Sequence, residues 1–241
     1  MKKVAIVLPC YNEAAELKDK VSFLRNYLEE NVKEYNFTYI IADDCSSDDT
    51  KAVAESIPGV HCCSYPEHHG KGAAVKNGIQ YALKNIDFDY LIFMDIDLST
   101  ELSATAPLLK ELENCPFVLG SRYDKESKIL IKQPLSRRMV SKFSRIIIKM
   151  MFHLHVKDSQ CGFKGMNKET AKFITDRAIV EQFAFDVEYL YILKLNKIPY
   201  KSVPVRWNDD RDSRVKVISS SVKFFKDLFK LKRKKKLYVA K

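Results

Sequence analysis

Acidic side chains follow two apolar runs of this sequence, and their type and position indicate a divalent-cation site. The run LIFM is followed by Asp95 and Asp97, and the run YIIA is followed by the segment DDCSSDDT at residues 43–50. A third apolar run, VAIVL, leads into the polar segment PCYNE at residues 9–13. Carboxylates in one crevice repel each other unless a positive charge lies between them, and Mg²⁺ or Mn²⁺ prefers oxygen ligands. Asp95 and Asp97 are therefore our candidates for holding a metal that carries a diphosphate.

A parallel sheet would bring these polar segments together, because ligands of open α/β sheets bind beyond the carboxyl ends of the strands. Apolar runs of strand length alternate with segments of helical periodicity along the chain. This alternation predicts an α/β fold with a mostly parallel sheet and helices on both faces. The predicted strands are residues 4–8, 39–42, 61–65, 90–94, 117–119, 163–166 and 202–207, and helices are predicted around residues 17–28, 73–83, 102–112 and 136–154.

The length and composition of the chain are those of a globular enzyme. Its 241 residues can bury a full core in one large domain, and 46% hydrophobic and 30% charged residues exclude wholesale disorder. We expect no transmembrane helix, since no apolar run reaches about 18 residues, and no signal peptide, since the N-terminal segment lacks that pattern. The six cysteines are then expected to be reduced thiols of a cytoplasmic protein, without a zinc site.

Most of the net positive charge lies in the C-terminal segment. The formal net charge is +10, and residues 223–241 contain nine Lys or Arg and one Asp. We therefore divide the chain into a catalytic domain, residues 1–218, and a basic amphipathic helix and tail, residues 219–241. A basic tail of this kind binds an anionic lipid surface, binds nucleic acid, or is merely solvated.

Two basic segments have the spacing of amphipathic helices that lie on a membrane surface. Residues 136–154 and 219–236 each place large apolar side chains on one helical face, with Lys and Arg beside them. Flanking basic side chains can bury their stems and leave their charges at lipid headgroups. The alternative is that both helices pack on the protein's own core. The predicted apolar faces consist of Met139, Phe143, Ile147, Met150 and Leu154 in the first helix, and of Val222, Phe225 and Phe229 in the second.

The order of the polar segments resembles glycosyltransferase family 2, whose members have the Rossmann-like GT-A fold. The segments that carry the resemblance are PCYNE at 9–13, DDCSSDDT at 43–50, GKG at 70–72, MDIDLST at 94–100 and GSR at 120–122. Two later segments, DSQCGFK at 158–164 and AFDVE at 184–188, are similar to those of the polyprenyl-phosphate (dolichyl-phosphate) β-glucosyltransferases. The segments VRW at 205–207 and DSR at 212–214 lie where that group has a tryptophan followed by Gly-Ser-Lys.

The resemblance implies an inverting transfer of a sugar, glucose from UDP-glucose in our interpretation, to a polyprenyl monophosphate at the inner face of a membrane. The residues implied to bind the nucleotide sugar are Pro9, Tyr11, Asn12, Glu13, Asp43, Asp44, Lys71 and Asp95. Those implied to bind the acceptor phosphate are Arg122, Arg137, Arg138 and Arg214. The catalytic residues are Asp97, Arg122 and Asp186, with Asp95 and Asp97 on Mg²⁺ or Mn²⁺.

Three alternatives remain at this stage. The acceptor is a hydroxyl group on a glycan, a wall polymer or a protein, in which case Asp186 is the candidate base. In the second alternative, the donor is GDP-mannose instead of UDP-glucose. In the third alternative, the chain is a non-enzymatic basic module that binds nucleic acid or lipid, although this would leave the acidic crevice unexplained. We expect an enzyme that does not bind nucleic acid and binds an anionic membrane surface peripherally, with a homo-oligomer as one option for its assembly.

Overall fold

A mixed sheet lies at the centre of the molecule. The structure, a computed structural model, describes residues 1–131, 134–208 and 217–240. Within these residues seven strands form the main sheet in the order β3-β2-β1-β4-β7-β5-β8, and β6 pairs with β9 in a small second sheet. The strands are β1 Lys2–Cys10, β2 Tyr35–Asp43, β3 Val60–Ser64, β4 Tyr90–Met94, β5 Phe117–Ser121, β6 Lys128–Ile129, β7 Phe163–Asn167, β8 Lys201–Pro204 and β9 Arg206–Trp207.

Helices cover both faces of this sheet. The two faces of β1 belong to different core clusters, with Ala5 and Val7 in one and Val4 and Ile6 in the other, because successive strand residues point to opposite sides. The helices are α1 Leu17–Asn31, α2 Thr50–Ser56, α3 Lys71–Asn85, α4 Thr105–Leu112, α5 Leu135–Phe152, α6 Lys168–Thr175, α7 Phe185–Leu195, α8 Val217–Arg233 and α9 Lys235–Tyr238. The predicted α/β class is confirmed.

One strand of the main sheet runs against its neighbours. The pairs β1–β2, β1–β4, β2–β3 and β5–β8 are parallel, whereas β7 is antiparallel to both β4 and β5. The strand predicted at 202–207 is two strands in the structure, since β8 stays in the main sheet and β9 pairs with β6. The two strands are separated at Val205, directly after Pro204, which has no N–H to donate to a ladder. This turn carries Trp207 to the edge of the sheet.

The C-terminal helices pack against the core of the molecule. Phe224, Leu228 and Leu231 of α8 are buried in the same cluster as α7, and Tyr238 is fully buried. The hydroxyl of Tyr238 donates a hydrogen bond of 2.8 Å to Glu188. The segment predicted as a basic tail therefore shares buried side chains with residues 1–218, and the domain boundary itself stays a prediction. Of the apolar face predicted there, Phe229 is exposed and Phe225 is half-buried, while the side chain of Val222 lies outside the described part.

Helix α5 presents an apolar stripe to the surface, which we define as Leu135, Met139, Phe143, Ile146 and Met150. Met139 is 72% exposed and Phe143 is 59% exposed. The opposite side of the helix packs on the core through Ser144, Ile148 and Phe152. Of the five residues predicted for this face, three belong to the stripe, Ile147 is half-buried, and Leu154 is buried beyond the end of the helix.

Candidate active site

The three polar segments meet at one edge of the sheet. Strand β1 pairs in parallel with β2 on one side and β4 on the other, with Cys10 opposite Asp43 and Val7 opposite Phe93. The segments that follow these strands therefore emerge together, as expected for a parallel sheet. This edge contains the residues predicted to bind the nucleotide sugar.

Asp44 fixes the loop before α3. Its carboxylate is buried and accepts hydrogen bonds from the Tyr65 hydroxyl at 2.5 Å, the His69 N–H at 3.0 Å and the Gly70 N–H at 2.8 Å. The Nδ1 atom of His68 lies 3.0 Å from the same carboxylate. Both oxygens of Asp44 thus have protein partners, and its first effect is to hold residues 65–70 against the sheet edge.

An aromatic pair stands beside this loop. The rings of Tyr11 and His68 lie with their centroids 4.3 Å apart. Asn12 accepts a hydrogen bond of 2.8 Å from the Ser47 N–H, and Asp43 accepts from the Ser46 hydroxyl. The structure thereby gathers the predicted nucleotide-sugar residues Pro9, Tyr11, Asn12, Glu13, Asp43 and Asp44 around β1 and β2.

Lys71 connects helix α3 with the segment that follows β4. It is the first residue of α3, and its Nζ lies 2.6 Å from Oδ1 of Asp95. Burial alone would lower the pKa of Lys71, but the carboxylates of Asp95 and Asp186 raise it above the usual value, so the lysine carries a charge. The Asp95 N–H also donates to Gly162 O at 3.0 Å. A Cβ at Gly162 would lie 2.2 Å from Oδ2 of Asp95, so a larger residue there would displace the Asp95 carboxylate.

Asp95 and Asp97 line the same cleft. Desolvation by the cleft and the neighbouring Asp95 carboxylate raise the pKa of Asp97, although the Ser99 N–H donates to it at 2.9 Å. A carboxylate whose charge is disfavoured in this way by its neighbour fits a divalent cation shared between the two. The other lining residues are Met94, Leu98, Ser99, Thr100, Arg122, Gln160, Gly162 and Trp207.

Arg122 forms a buried ion pair with Asp158. Its Nε and Nη2 donate to the two oxygens of Asp158 at 2.7 and 2.9 Å, and its backbone N–H donates at 3.0 Å. The Asp158 side chain is 0% exposed and that of Arg122 is 15% exposed. Burial favours the neutral forms, but Asp158 raises the pKa of Arg122 and Arg122 lowers that of Asp158. Both groups are therefore charged, and one face of the guanidinium lies 5.3 Å from the Trp207 ring centre.

Asp186 is buried and is not among the residues that line this cleft. It accepts a hydrogen bond from Lys164, whose side chain is completely buried and also donates to Cys161 O at 2.5 Å. Burial raises the pKa of Asp186, while Lys164 and Lys71 act against this shift. The residue predicted as a base is thus occupied by an ion pair.

Comparison with known proteins decides the family. The model of the family described as "Glycosyl transferase family 2" matches residues 5–174, which is most of the chain. The chain belongs to glycosyl transferase family 2. It is therefore a glycosyltransferase, and the predicted family and enzyme class are confirmed.

The relatives of this family 2 protein are similar over nearly its whole length. It is 29% identical over 247 residues to dolichyl-phosphate beta-glucosyltransferase of Dictyostelium discoideum, covering 95% of this chain and 73% of that protein. It is 28% identical to the human protein of the same name, covering 94% and 74% of the two chains. A structural neighbour is glucosyl-3-phosphoglycerate synthase from Mycobacterium tuberculosis, with a TM-score of 0.68, 17% identity, and coverage of 95% and 80%. The last likeness establishes the fold.

Several residues of the family 2 site were not predicted individually. Asp158 and Lys164 lie in a segment that carried the resemblance, but no local pattern links them to Arg122 and Asp186. Trp207 and Gln160 line the cleft because β7 and β9 bring distant segments to it. A buried charge in an otherwise apolar segment is the one signal that could have marked Lys164.

The remaining acceptor candidates are distributed differently. Arg137 and Arg138 lie in the first turn of α5, with Arg138 exposed, whereas Arg214 lies outside the described residues. Among residues 1–131, 134–208 and 217–240, no cluster of three or more His, Cys, Asp or Glu forms a metal site by itself. Over the same residues no helix has the length and apolarity needed to cross a membrane.

Proposed function

We propose that this family 2 enzyme transfers glucose from UDP-glucose to a polyprenyl monophosphate at the cytoplasmic face of a membrane. The observation that carries the proposal is the position of the carboxylate cleft. Asp95 and Asp97 share it with Arg122, whose neighbour Tyr123 contacts α5, the helix with the exposed apolar stripe. A phosphate at the cleft with its hydrocarbon chain along α5 matches this arrangement. The names of the similar dolichyl-phosphate beta-glucosyltransferases support the same acceptor class.

The donor half of the proposal rests on the crevice at β1, β2 and β4. Tyr11 and His68 offer aromatic surface for a base, and Asp95 and Asp97 fit Mg²⁺ or Mn²⁺ with a diphosphate. When bound, the metal supplies positive charge where the leaving diphosphate becomes more negative. Lys71, ion-paired with Asp95, places a second cation on this side. A solved structure of the M. tuberculosis synthase is a complex with Mn²⁺ and UDP, which supports this donor chemistry.

The proposed phosphate acceptor is supported by its protonation state at neutral pH. A phosphate monoester has a second pKa near ~6, so at neutral pH it is already largely a dianion. One of its oxygens attacks the anomeric carbon while the bond from that carbon to the UDP oxygen breaks, which inverts the anomeric configuration. No proton has to be removed from the nucleophile. The ion pair of Asp186 with Lys164 agrees with this, because a hydroxyl acceptor would need an available base.

The proposed membrane attachment rests on charge and exposed apolar area. Arg138, Lys142 and Lys149 flank the apolar stripe of α5, and their exposed charges suit an anionic surface. Lys223, Lys226 and Lys230 add exposed charge on α8, which packs beside α5 through Phe143 and Phe225. Peripheral attachment through these helices would bring the lipid phosphate to the cleft.

The test is a transfer assay with purified protein. Undecaprenyl phosphate is incubated with radiolabelled UDP-glucose or GDP-mannose, and the label is counted in organic and aqueous fractions. We expect organic-soluble product from UDP-glucose and divalent cation, and none from the Asp97→Asn variant or with chelator. Asp19→Asn, an exposed carboxylate of α1, is the matched control and should remain active. Product that appears only with a glycan acceptor, or full activity of Asp97→Asn, would contradict the proposal.

A further inference from the structure

Arg145 is a half-buried cation whose Nε atom has no polar partner among the described residues. Its Nε is shielded from solvent and makes no hydrogen bond to any described residue. No carboxylate of the described residues lies within ion-pair distance of it. An unsatisfied buried donor on a charged group is costly, so such groups are found where a ligand or ordered water completes them. The position calls for an anion.

The ring of Tyr123 connects this cation to the cleft. The guanidinium carbon of Arg145 lies 3.5 Å from the centre of the Tyr123 ring, and that of Arg122 lies 5.7 Å from the same centre. The Tyr123 hydroxyl is 3.4 Å from the Ser141 hydroxyl, one helical turn before Arg145. The two arginines thus share one aromatic side chain, but among the residues that the structure describes only Arg122 has a carboxylate counter-ion.

Helix geometry places Arg145 between the core and the basic flank of α5. Ser144 and Ile148, next to it on one side, are buried. Arg138 and Lys149, seven residues before it and four after it, lie on nearly the same face and are exposed. Beyond them lies the apolar stripe. A series of positive charges therefore leads from the surface of α5 inward to Arg145.

From these contacts we infer that Arg145 binds the phosphate of the acceptor. This inference rests on the proposed function and adds a residue to it. Arg122 is then a positioning residue, because Asp158 neutralises its charge and fixes two of its nitrogens. Arg145 has no carboxylate partner among the described residues, and its Nε can donate to a phosphate oxygen, while its stacking on Tyr123 fixes the plane in which it donates. The ligand class is a phosphate monoester carried on a hydrocarbon chain.

Binding of farnesyl phosphate tests the inference without turnover. Trp207 is the only tryptophan of the chain and lines the cleft, so its fluorescence reports binding. In Arg145→Gln we expect affinity for farnesyl phosphate to fall about 10- to 100-fold, the value of a hydrogen bond to a charged group, with UDP affinity unchanged. Arg145→Lys, which keeps the charge without the planar fork, should recover part of the loss. Lys110→Gln, an exposed lysine of α4, is the matched control and should change affinity little.

Two further probes separate the sources of the effect. Farnesol tests for binding of the chain alone, and inorganic phosphate, as competitor, should displace farnesyl phosphate from wild type more readily than from Arg145→Gln. Equal affinities of wild type and Arg145→Gln, or equal losses in Arg145→Gln and Lys110→Gln, would overturn the inference. A thermal unfolding shift in Arg145→Gln with unchanged affinity would make the residue merely structural and would overturn it too. Arg145-dependent binding without transfer from UDP-glucose would instead refute the proposed function and leave the phosphate site standing.

Discussion

Replacing Asp158 by Asn removes the counter-charge of Arg122 while nearly preserving the side-chain shape. The wild-type carboxylate accepts three hydrogen bonds from Arg122 and one of 3.2 Å from the Gln160 N–H. An asparagine has one acceptor oxygen, and its NH₂ group would face a guanidinium donor. The variant therefore leaves a positive charge in a site that solvent barely reaches.

The size of the effect follows from this burial. Removing one partner of a buried ion pair typically costs about 3–5 kcal/mol, because the other charge stays buried and uncompensated. In a chain of this length each kcal/mol corresponds to roughly 2–4 °C in the unfolding temperature. We therefore expect Asp158→Asn to unfold about 6–20 °C below wild type. Transfer should also decrease, because Arg122 would no longer be held beside Trp207.

Thermal unfolding by circular dichroism measures this loss, with Asp87→Asn as the matched control. Asp87 also pairs with a lysine, Lys3, at 2.5 Å, but both side chains are largely exposed, so its removal should leave the unfolding temperature unchanged. If Asp158→Asn and Asp87→Asn both unfold at the wild-type temperature, the buried pair does not stabilise the cleft as argued here.

The same pair gives a pH dependence of known sign. Arg122 lowers the pKa of Asp158 in the folded state, despite its burial. Its contribution is therefore fully present above the ordinary aspartate pKa of about 3.9 and is lost as the pH falls through the lower folded-state value. The difference in stability between wild type and Asp158→Asn should stay constant from neutral pH to about pH 5 and shrink below about pH 4.

Three other predictions follow from contacts described above. Gly162→Ala would place a Cβ 2.2 Å from Oδ2 of Asp95. We therefore expect UDP affinity, measured by calorimetry, and the transfer rate to fall sharply while the circular dichroism spectrum stays native. Wild-type affinity for UDP would contradict the role given to this close contact. Tyr238→Phe removes the hydrogen bond to buried Glu188 and should cost about 1–3 kcal/mol in chemical denaturation, and an unchanged midpoint would disprove the role of that bond. Replacing Lys234, Lys235 and Lys236 by Ser should weaken co-sedimentation with anionic vesicles at low salt, by about 1 kcal/mol per charge, and leave transfer to farnesyl phosphate unchanged; equal sedimentation would make these charges merely solvated. Truncation from Lys232 is unsuitable for this purpose, because it also removes Tyr238.

The central strands were predictable because burial leaves a strong mark on their composition. The buried parts of strands β1, β2 and β4 are apolar runs that lead into polar segments, so their position and the site edge follow from the sequence alone. Strand β7 was also located, but its antiparallel direction and its place between β4 and β5 depend on pairing with distant segments. Periodicity within one segment carries no information on such pairing.

The candidate site, too, was predictable only where its features are local in the sequence. Asp95 and Asp97 could be assigned a shared cleft because a spacing of two residues at a strand end is a local feature. The partner of Arg122 lies 36 residues later in the chain, and that of Asp186 lies 22 residues earlier, so neither ion pair has a local signature. Likewise the burial of Phe224, Leu228 and Leu231 could not be separated from membrane contact, since both environments favour the same apolar face.

The Arg122–Asp158 ion pair has a consequence for how members of this family could be recombined. It joins the two ends of a 36-residue excursion that contains β6 and α5, while the crevice of β1, β2 and α3 lies entirely outside it. This ion pair closes the excursion at the cleft, while Ile148 and Phe152 of α5 anchor it in the core. We expect a chimera that keeps Arg122, Asp158 and the buried residues of α5, and takes the rest of the segment from another family 2 enzyme, to retain its donor preference and acquire the acceptor preference of the segment's source.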